Sequence, residues 1–398
     1  MIVYEFKVKG KQKQYQAIDE AIRTSQFIQN KCLRYWMDSK DLKVDKYTLN
    51  KYCAVLAAQF PFASELNSMA RQSAAERCWS AIARFYDNCK KKVKGKKGFP
   101  KFKKNCRSVE YKSTGWKLSE NRKSITFLDK KGIGTLNLKG TYNLNYYDIK
   151  QIKRVRLVRR ADGYYAQFAI DVNVTVETQP TNQIAGIDLG LKYFIADNKG
   201  NVELSPQFYR KSEKQLNRAN RQKSRKFSPE RKKQKVKQSN NYHKARNRYA
   251  RKHLKISRQR KEYCKRLAYS VIQSNDLVAY EDLNVKGLVR NRHLAKSISD
   301  AGWYTFRLWL EYFAHKYGKV TVAVPPYNTS QNCSHCGEKV QKSLSTRTHV
   351  CPHCGYTEDR DINAAINILR LGLSTVGHTG TYATGDLPSW AVGVLPAV

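Results

Sequence analysis

Four cysteines stand in two Cys-x-x-Cys pairs, Cys333/Cys336 and Cys351/Cys354, separated by 14 residues. That is close to the spacing of a zinc ribbon. Each pair forms a turn that points two thiolates at one ion, and Gly337 and Gly355 follow the pairs as turn residues. Four sulfurs fill a tetrahedral site and leave no open position, so the one zinc ion expected here is structural. His335 and His353 lie inside the pairs, but four cysteines suffice as ligands. A redox dithiol is the alternative reading.

A second set of residues could do hydrolytic chemistry. Cleaving a phosphodiester with two metal ions needs several carboxylates converging within about 4 Å of the cations. Mg²⁺ takes oxygen ligands and leaves the rest of its shell to phosphate and water. Asp188 interrupts an apolar strand, Ile184-Ala185-Gly186-Ile187-Asp188-Leu189-Gly190. A carboxylate there is costly unless it is paired or binds metal; the plain alternative is a turn aspartate at a strand end. Glu281 follows Leu277-Val278-Ala279-Tyr280, and its plain alternative is an exposed strand end. Asp359 and Asp361 precede a helical pattern, where either could be an N-cap. Taken together, acids on a first strand, a later strand and a terminal helix form a ribonuclease-H-like arrangement.

The elements that must position these acids are legible in outline. Residues 1–10 alternate as a strand, and 11–38 switch to helical period through Ile18, Ala21, Ile22, Ser25, Ile28, Cys32 and Tyr35. Helix continues over 47–93, broken at Phe60-Pro61, and ends in the basic stretch KKKVKGKKGFPKFKK, read either as a phosphate-tracking segment or as a solvated linker. From about 105 to 180 the period becomes two, with Asp162-Gly163 expected as a hairpin turn. A helical block between an opening strand and later strands suggests an insertion into a small β-barrel. A new unit starts near Gln183, with strands at 277–283 and 319–325, a helix around Trp303–Tyr317 and a last helix from near Asp361. After Gly372 the chain is rich in Gly, Thr and Ser, and a mobile tail is expected.

The charge selects the partner. Among 398 residues, 75 Lys plus Arg face 32 Asp plus Glu, a formal net charge of +43. Phosphates that neutralise such an excess release counterions, so nucleic acid is the first expected partner. Residues 210–266 alone hold 24 Lys or Arg against three Glu, and one sign over that length repels itself unless an anion is bound. The 25 tyrosines add flat rings that suit exposed bases. An apolar run of about 18 residues and a signal pattern are both missing, so the chain reads as soluble and intracellular, with Cys32, Cys53, Cys78, Cys89, Cys106 and Cys264 as reduced thiols.

Four segments in order, GIDLG (186–190), AYEDLNVKGL (279–288), NTSQNCSHCG (328–337) and CGYTEDRDINAAINI (354–368), resemble the successive motifs of TnpB proteins, transposon-encoded relatives of the type V CRISPR effectors. GFPKFK (98–103) and DGYYAQFAIDV (162–172) fit the same family. The resemblance covers most of residues 1–370, densest from 183 onward.

The resemblance implies a multidomain α+β chain. Residues 1–10 and 91–181 would form a wedge-like β-barrel, 11–90 an inserted helical recognition bundle, and 182–332 with 356–372 an RNase H-like (RuvC) α/β nuclease domain. Residues 333–355 would be the inserted zinc ribbon and 373–398 a flexible tail. It implies Asp188, Glu281 and Asp361 as catalytic ligands of two Mg²⁺ ions, Asp361 being preferred because it opens the Asp-x-Asn-Ala pattern of Asp361-Ile362-Asn363-Ala364. Asp359 is the fallback ligand. The implied function is RNA-guided cleavage of double-stranded target DNA beside a short flanking motif, with a guide RNA from the transposon end. The setting would be the prokaryotic cytoplasm, at the nucleoid and not at a membrane. The other readings are an RNA-guided repressor that binds without cutting, a DNA-joining transposase, and a compact type V CRISPR effector.

Overall fold

The computed structural model describes residues 1–39, 44–93, 95–234, 236–343 and 345–378. It divides into two units, Met1–Val174 and Thr175–Val398, each mixing helices and strands. No helix among the described residues is long and apolar enough to cross a membrane.

In the first unit, β1 (Ile2–Lys9) leads into α1 (Gln12–Asp38), α2 (Lys46–Gln59), α3 (Pro61–Ser64) and α4 (Ser68–Lys90). The breaks between helices have local causes. Phe60, held extended before Pro61 (φ −127°, ψ 103°), ends α2 because a residue before proline avoids helical dihedrals. Asp45 caps α2 by accepting the Thr48 N–H at 2.7 Å, and Asn67 caps α4 by accepting the Met69 N–H at 2.8 Å. Six strands follow: β2 (Ser108–Lys112), β3 (Trp116–Leu118), β4 (Ser124–Phe127), β5 (Gly134–Lys139), β6 (Ile152–Arg160) and β7 (Gly163–Ile170). With β1 they make one antiparallel sheet in the order β2-β6-β7-β1-β5-β4-β3. Strand β1 pairs with β7 from Ile2 to Lys7 and with β5 from Lys7 to Lys9, so the sheet curls around it. Phe6 and Val8 of β1 share one core with Ile18 and Ile22 of α1, Leu49 of α2 and Ile82 of α4.

Two buried acids clamp α4 to this sheet. Arg154 of β6 bonds both Glu76 on α4 (3.1 Å) and Glu110 on β2 (2.9 Å), while Lys112 reaches Glu76 at 2.6 Å and Arg156 reaches Glu110. Burial works against the charge on Glu110, yet the two arginines hold its carboxyl below the usual range. The hairpin turn falls one residue earlier than expected, on Ala161-Asp162, because Arg160 pairs with Gly163, whose φ of +134° suits glycine. The basic stretch after α4 is not a loose linker. Asn30 bonds both backbone groups of Lys103 (2.8 and 2.9 Å), Gln26 accepts the Cys106 N–H at 2.7 Å, and Phe99 packs on Trp36 and Phe85.

The second unit opens with β8 (Ile184–Asp188), β9 (Tyr193–Asp197) and β10 (Val202–Leu204), followed by α5 (Phe208–Arg225), α6 (Pro229–Lys233) and the long α7 (Asn240–Ser274). Next come β11 (Leu277–Glu281), α8 (Val285–Leu288), α9 (Ala295–Ala301), α10 (Trp303–Lys316), β12 (Val320–Val324), β13 (Thr348–Val350), β14 (Thr357–Asp359) and α11 (Arg360–His378). The main sheet has the order β10-β9-β8-β11-β12. Strands β8, β9 and β10 are antiparallel neighbours, and β8, β11 and β12 run parallel. Alternation sorts the two faces. Ile187, Val278 and Tyr280 pack with Cys264 and Ala268 of α7 and Phe306 and Leu310 of α10. Ile184, Leu277 and Ala279 point the other way, onto Ile368, Leu369, Leu373 and Val376 of α11.

Helix α11 lies unusually close to this second face. A Cβ on Gly186 would sit 2.2 Å from the Ala365 carbonyl oxygen, and one on Gly372 would sit 2.5 Å from the Ala279 Cβ. Gly372 is therefore a contact glycine inside the helix, and it does not end it. This corrects the expectation for the tail: residues 373–378 are helical because Leu373 and Val376 extend the buried stripe, and the rest of that segment, 379–398, lies outside the described residues.

Gly186→Ala is expected to push α11 off the sheet and to lower stability by about 1–3 kcal/mol, the usual cost of overpacking. Urea unfolding of the two proteins measures this, and an unchanged midpoint would refute the close contact.

Candidate active site and metal centre

Asp188 ends β8 and Glu281 ends the parallel neighbour β11. Their registers run together up to Ile187 and Tyr280, so the two acids follow side by side at the carboxyl edge of the sheet. By alternation Asp188 lies on the face of Gly186, and Glu281 on the face of Leu277 and Ala279, the face that α11 covers. Asp361 is the second residue of α11. The close seat of that helix on Gly186 brings its N-terminal turn to the same edge. The structure thus gathers the three acids that the sequence singled out.

Their electrostatics record the gathering. Burial, then the charges of Glu281 and Asp361, push the Asp188 carboxyl up to about 8. Burial raises Glu281, which is 8% exposed, and a hydrogen bond from the Thr329 hydroxyl at 2.5 Å opposes the rise. Burial and then Asp359 raise Asp361, and Arg347, 3.8 Å away, works in the opposite sense. Three carboxylates with raised proton affinity, two of them acting on the third, are a hard oxygen donor set that fits a hard divalent cation. Asp359 acts locally on the backbone. Its Oδ1 accepts the Asp361 N–H at 2.8 Å and caps the start of α11.

The cysteines form the other centre. Among the described residues theirs is the metal-ligand cluster whose donor atoms all lie within 4.8 Å of one another. Sγ of Cys333 is 3.7 Å from Sγ of Cys354, and Sγ of Cys336 is 3.6 Å from Sγ of Cys351. A tetrahedron with Zn–S bonds of about 2.3 Å has edges of about 3.8 Å, so these thiols fit zinc. Two matching turns build the site. Gly337 N–H donates to the Cys333 carbonyl and Gly355 N–H to the Cys351 carbonyl, both glycines at positive φ (84° and 72°). Against the effect of burial, N–H groups of Cys354 and His353 help bring Cys351 down to about 6, toward the thiolate. The His335 ring stacks on Tyr356, and neither His335 nor His353 joins the cluster.

Sequence reasoning passed over the polar residues that join the two centres. Asn363, fully buried, accepts the Ser334 N–H at 2.9 Å and donates to the Asn332 carbonyl at 2.9 Å. Asn367, one turn on, donates to the carbonyls of Thr329 (2.9 Å) and Asn332 (2.8 Å). Their signal was present: two asparagines four residues apart in the apolar stretch NAAINIL must bury their amides. A shallow basic pocket on α7, lined by Lys244, Asn247, Arg248, Arg251, Lys252 and Lys255, lies within the expected charge run.

Cys333→Ser is expected to reduce bound zinc well below one ion per chain and to open the ribbon to protease, because three thiolates hold the metal less well. Zinc analysis and limited proteolysis check both outcomes. The second expectation concerns pH. Because the folded pKa of Asp188 lies at about 8, above its ordinary 3.8, the proton it binds stabilises the fold at low pH. That stability is lost as pH rises through the interval between those values. Without divalent cations, Asp188→Asn should melt higher than wild type at pH 8, with the difference shrinking toward pH 5; melting curves across that range test it.

A family model described as "Probable transposase" (OrfB_IS605) matches residues 167–292, and one described as "Cas12f1-like, TNB domain" matches residues 303–368. A Streptomyces pristinaespiralis protein, named as an RNA-guided DNA endonuclease, is 29% identical over 322 residues, covering 79% of this chain and 74% of that protein. Escherichia coli InsQ, named in the same way, is 28% identical over 295 residues, or 69% of this chain and 68% of InsQ. A TnpB-like protein of Acanthamoeba polyphaga mimivirus, L79, is 29% identical over 127 residues, 30% of this chain and 24% of its own. The cryo-EM structure of a Cas12f1–sgRNA–target DNA complex shares the fold, with a TM-score of 0.52 at 16% identity over 90% of this chain and 83% of that one. Motif order, the two family models and the relatives agree, and the chain is similar to TnpB proteins along most of its length.

Proposed function

We propose that this protein is an RNA-guided DNA endonuclease of a transposon, cutting target DNA beside a short flanking motif by Mg²⁺-dependent, RuvC-type hydrolysis. The observation that carries the chemistry is the meeting of Asp188, Glu281 and Asp361 at one edge of the second unit, where the charges of Glu281 and Asp361 add to burial in raising the proton affinity of Asp188. The sheet order supports the RuvC reading, since three antiparallel strands followed by two parallel ones, with the first strand central, is the ribonuclease-H-like pattern. The curled antiparallel sheet of the first unit supports the reading of 1–10 and 91–181 as a barrel interrupted by the helical bundle 11–90.

Asp188, Glu281 and Asp361 would hold the two Mg²⁺ ions, with Asp359 fixing the backbone at Asp361. When bound, Mg²⁺ supplies an activated water and charge stabilisation for in-line displacement at phosphorus. The four cysteines would hold one zinc ion with no open position, which leaves the ribbon a structural part. The net charge of +43 suits a guide RNA and its heteroduplex with DNA, and the setting of that work would be the cytoplasm. In such a division of labour pairing reads the sequence and the protein reads shape.

The test is cleavage of matched DNA by the zinc-loaded protein with its guide RNA and Mg²⁺. Asp188→Ala, Glu281→Ala and Asp361→Ala should each slow cutting by at least about 100-fold, since the metals' contribution is several kcal/mol, while guide and target binding persist. DNA binding by the wild type with no cutting would favour the repressor reading. An Asp188→Ala protein that cuts like wild type would sink the nuclease.

A further inference from the structure

Glu281 has a hydrogen-bond partner that comes from neither its own strand nor its neighbours. The Thr329 hydroxyl donates to Glu281 Oε1 at 2.5 Å, with both residues buried at 5% and 8% exposure. Thr329 lies in the connection between β12 and the first cysteine pair, and that connection is tightly turned. Asn328 sits at φ +60°, and its carbonyl accepts the N–H groups of Gln331 (2.9 Å) and Asn332 (2.8 Å). The Thr329 carbonyl is in turn held by Asn367 of α11 at 2.9 Å.

We infer that Thr329 is a positioning residue for Glu281, tying that carboxylate to the helix that carries Asp361. This rests on the nuclease reading above and deepens it. A carboxylate on a strand end can rotate freely about its side-chain torsions. Donation by a fixed hydroxyl to Oε1 removes that freedom and commits one oxygen, leaving Oε2 to face a cation. A hydroxyl is the suitable donor. It supports the ionised carboxylate without adding a charge that would compete with the metal, as a lysine or arginine would. The chain of contacts Glu281–Thr329–Asn367 links β11 to α11 by side chains, and the Gly186 contact links β8 to the same helix by backbone. The three acids, which come from separate parts of the chain, are thereby referred to one rigid element. The zinc ribbon enters the same network, because Asn332 and Ser334 at its root bond Asn363 and Asn367.

The test compares Thr329→Val, which keeps the shape and removes the donor, with Thr329→Ser, which keeps the donor and removes the methyl. Mn²⁺ binding to the full-length, zinc-loaded protein without nucleic acid is followed by electron paramagnetic resonance. Cleavage is titrated with Mg²⁺ in parallel. Thr329→Val should weaken Mn²⁺ binding by about 10-fold or more, the usual cost of losing a partner behind a metal ligand, and raise the Mg²⁺ requirement by a similar factor. Zinc content should stay unchanged, and Thr329→Ser should bind and cut close to wild type. If Thr329→Val melts far below wild type, Thr329→Ala against Thr329→Ser isolates the hydroxyl in the same way. Wild-type Mn²⁺ binding by Thr329→Val, or equal impairment of the Ser and Val variants in folded protein, would overturn the assignment. A wild type that binds Mn²⁺ but never cuts would refute the nuclease reading and leave the Thr329 comparison intact.

Discussion

The second unit depends on how closely one helix can approach one strand. Gly186 has no side chain, so the backbone of α11 near Ala365 rests directly on β8. Everything at the candidate active site inherits its geometry from that contact. Asp188 stands two residues beyond Gly186 on the same face, and Asp361 stands one turn before Ala365 on the helix. Distance along the chain is large, but distance in space is set by a missing methyl group. The glycine at 372 repeats the device against β11, so the helix is seated at two points and its direction is defined.

Buried acids occur in both units, and the contrast between them separates support from chemistry. In the first unit Glu76 and Glu110 meet Lys112, Arg154 and Arg156, and both carboxyls are held below their ordinary range despite burial. Their charges are compensated within the fold, so they serve as a clamp. In the second unit the principal neighbours of Asp188 are two more acids, and its carboxyl moves the other way. An arrangement whose local charge is left negative at a strand edge invites a cation from outside.

Much of the site is legible in the sequence, and the reasons are physical. Asp188 and Glu281 stand out because an ionisable group in an apolar strand violates the strand's own pattern. The cysteine pairs stand out because the turn that presents two thiolates is local, and its glycines are adjacent in sequence. The contacts that hold these parts together are less legible. Thr329, Asn363 and Asn367 act through one or two hydrogen bonds each between segments roughly thirty to fifty residues apart in the chain, and nothing in their immediate neighbours states the partner. Gly372 misleads for a related reason. A glycine near a helix end looks like a stop, and only the opposing Ala279 shows that it is a contact.

The strand order carries a consequence for how the protein is made. In each unit the earliest strand is an inner one: β1 lies between β7 and β5, and β8 between β9 and β11. The outermost pairing of β1 joins Ile2 to Ile170. At ordinary ribosomal speeds that partner emerges roughly ten to thirty seconds later. Helices α1 to α4, which pack on one another and precede the later strands, can form during the interval, leaving β1 as an open edge awaiting its neighbours. The second unit waits longer, because Asp361 joins Asp188 and Glu281 only once α11 has left the ribosome. The candidate site is thus completed last by topology alone, and a half-made chain holds its acids apart.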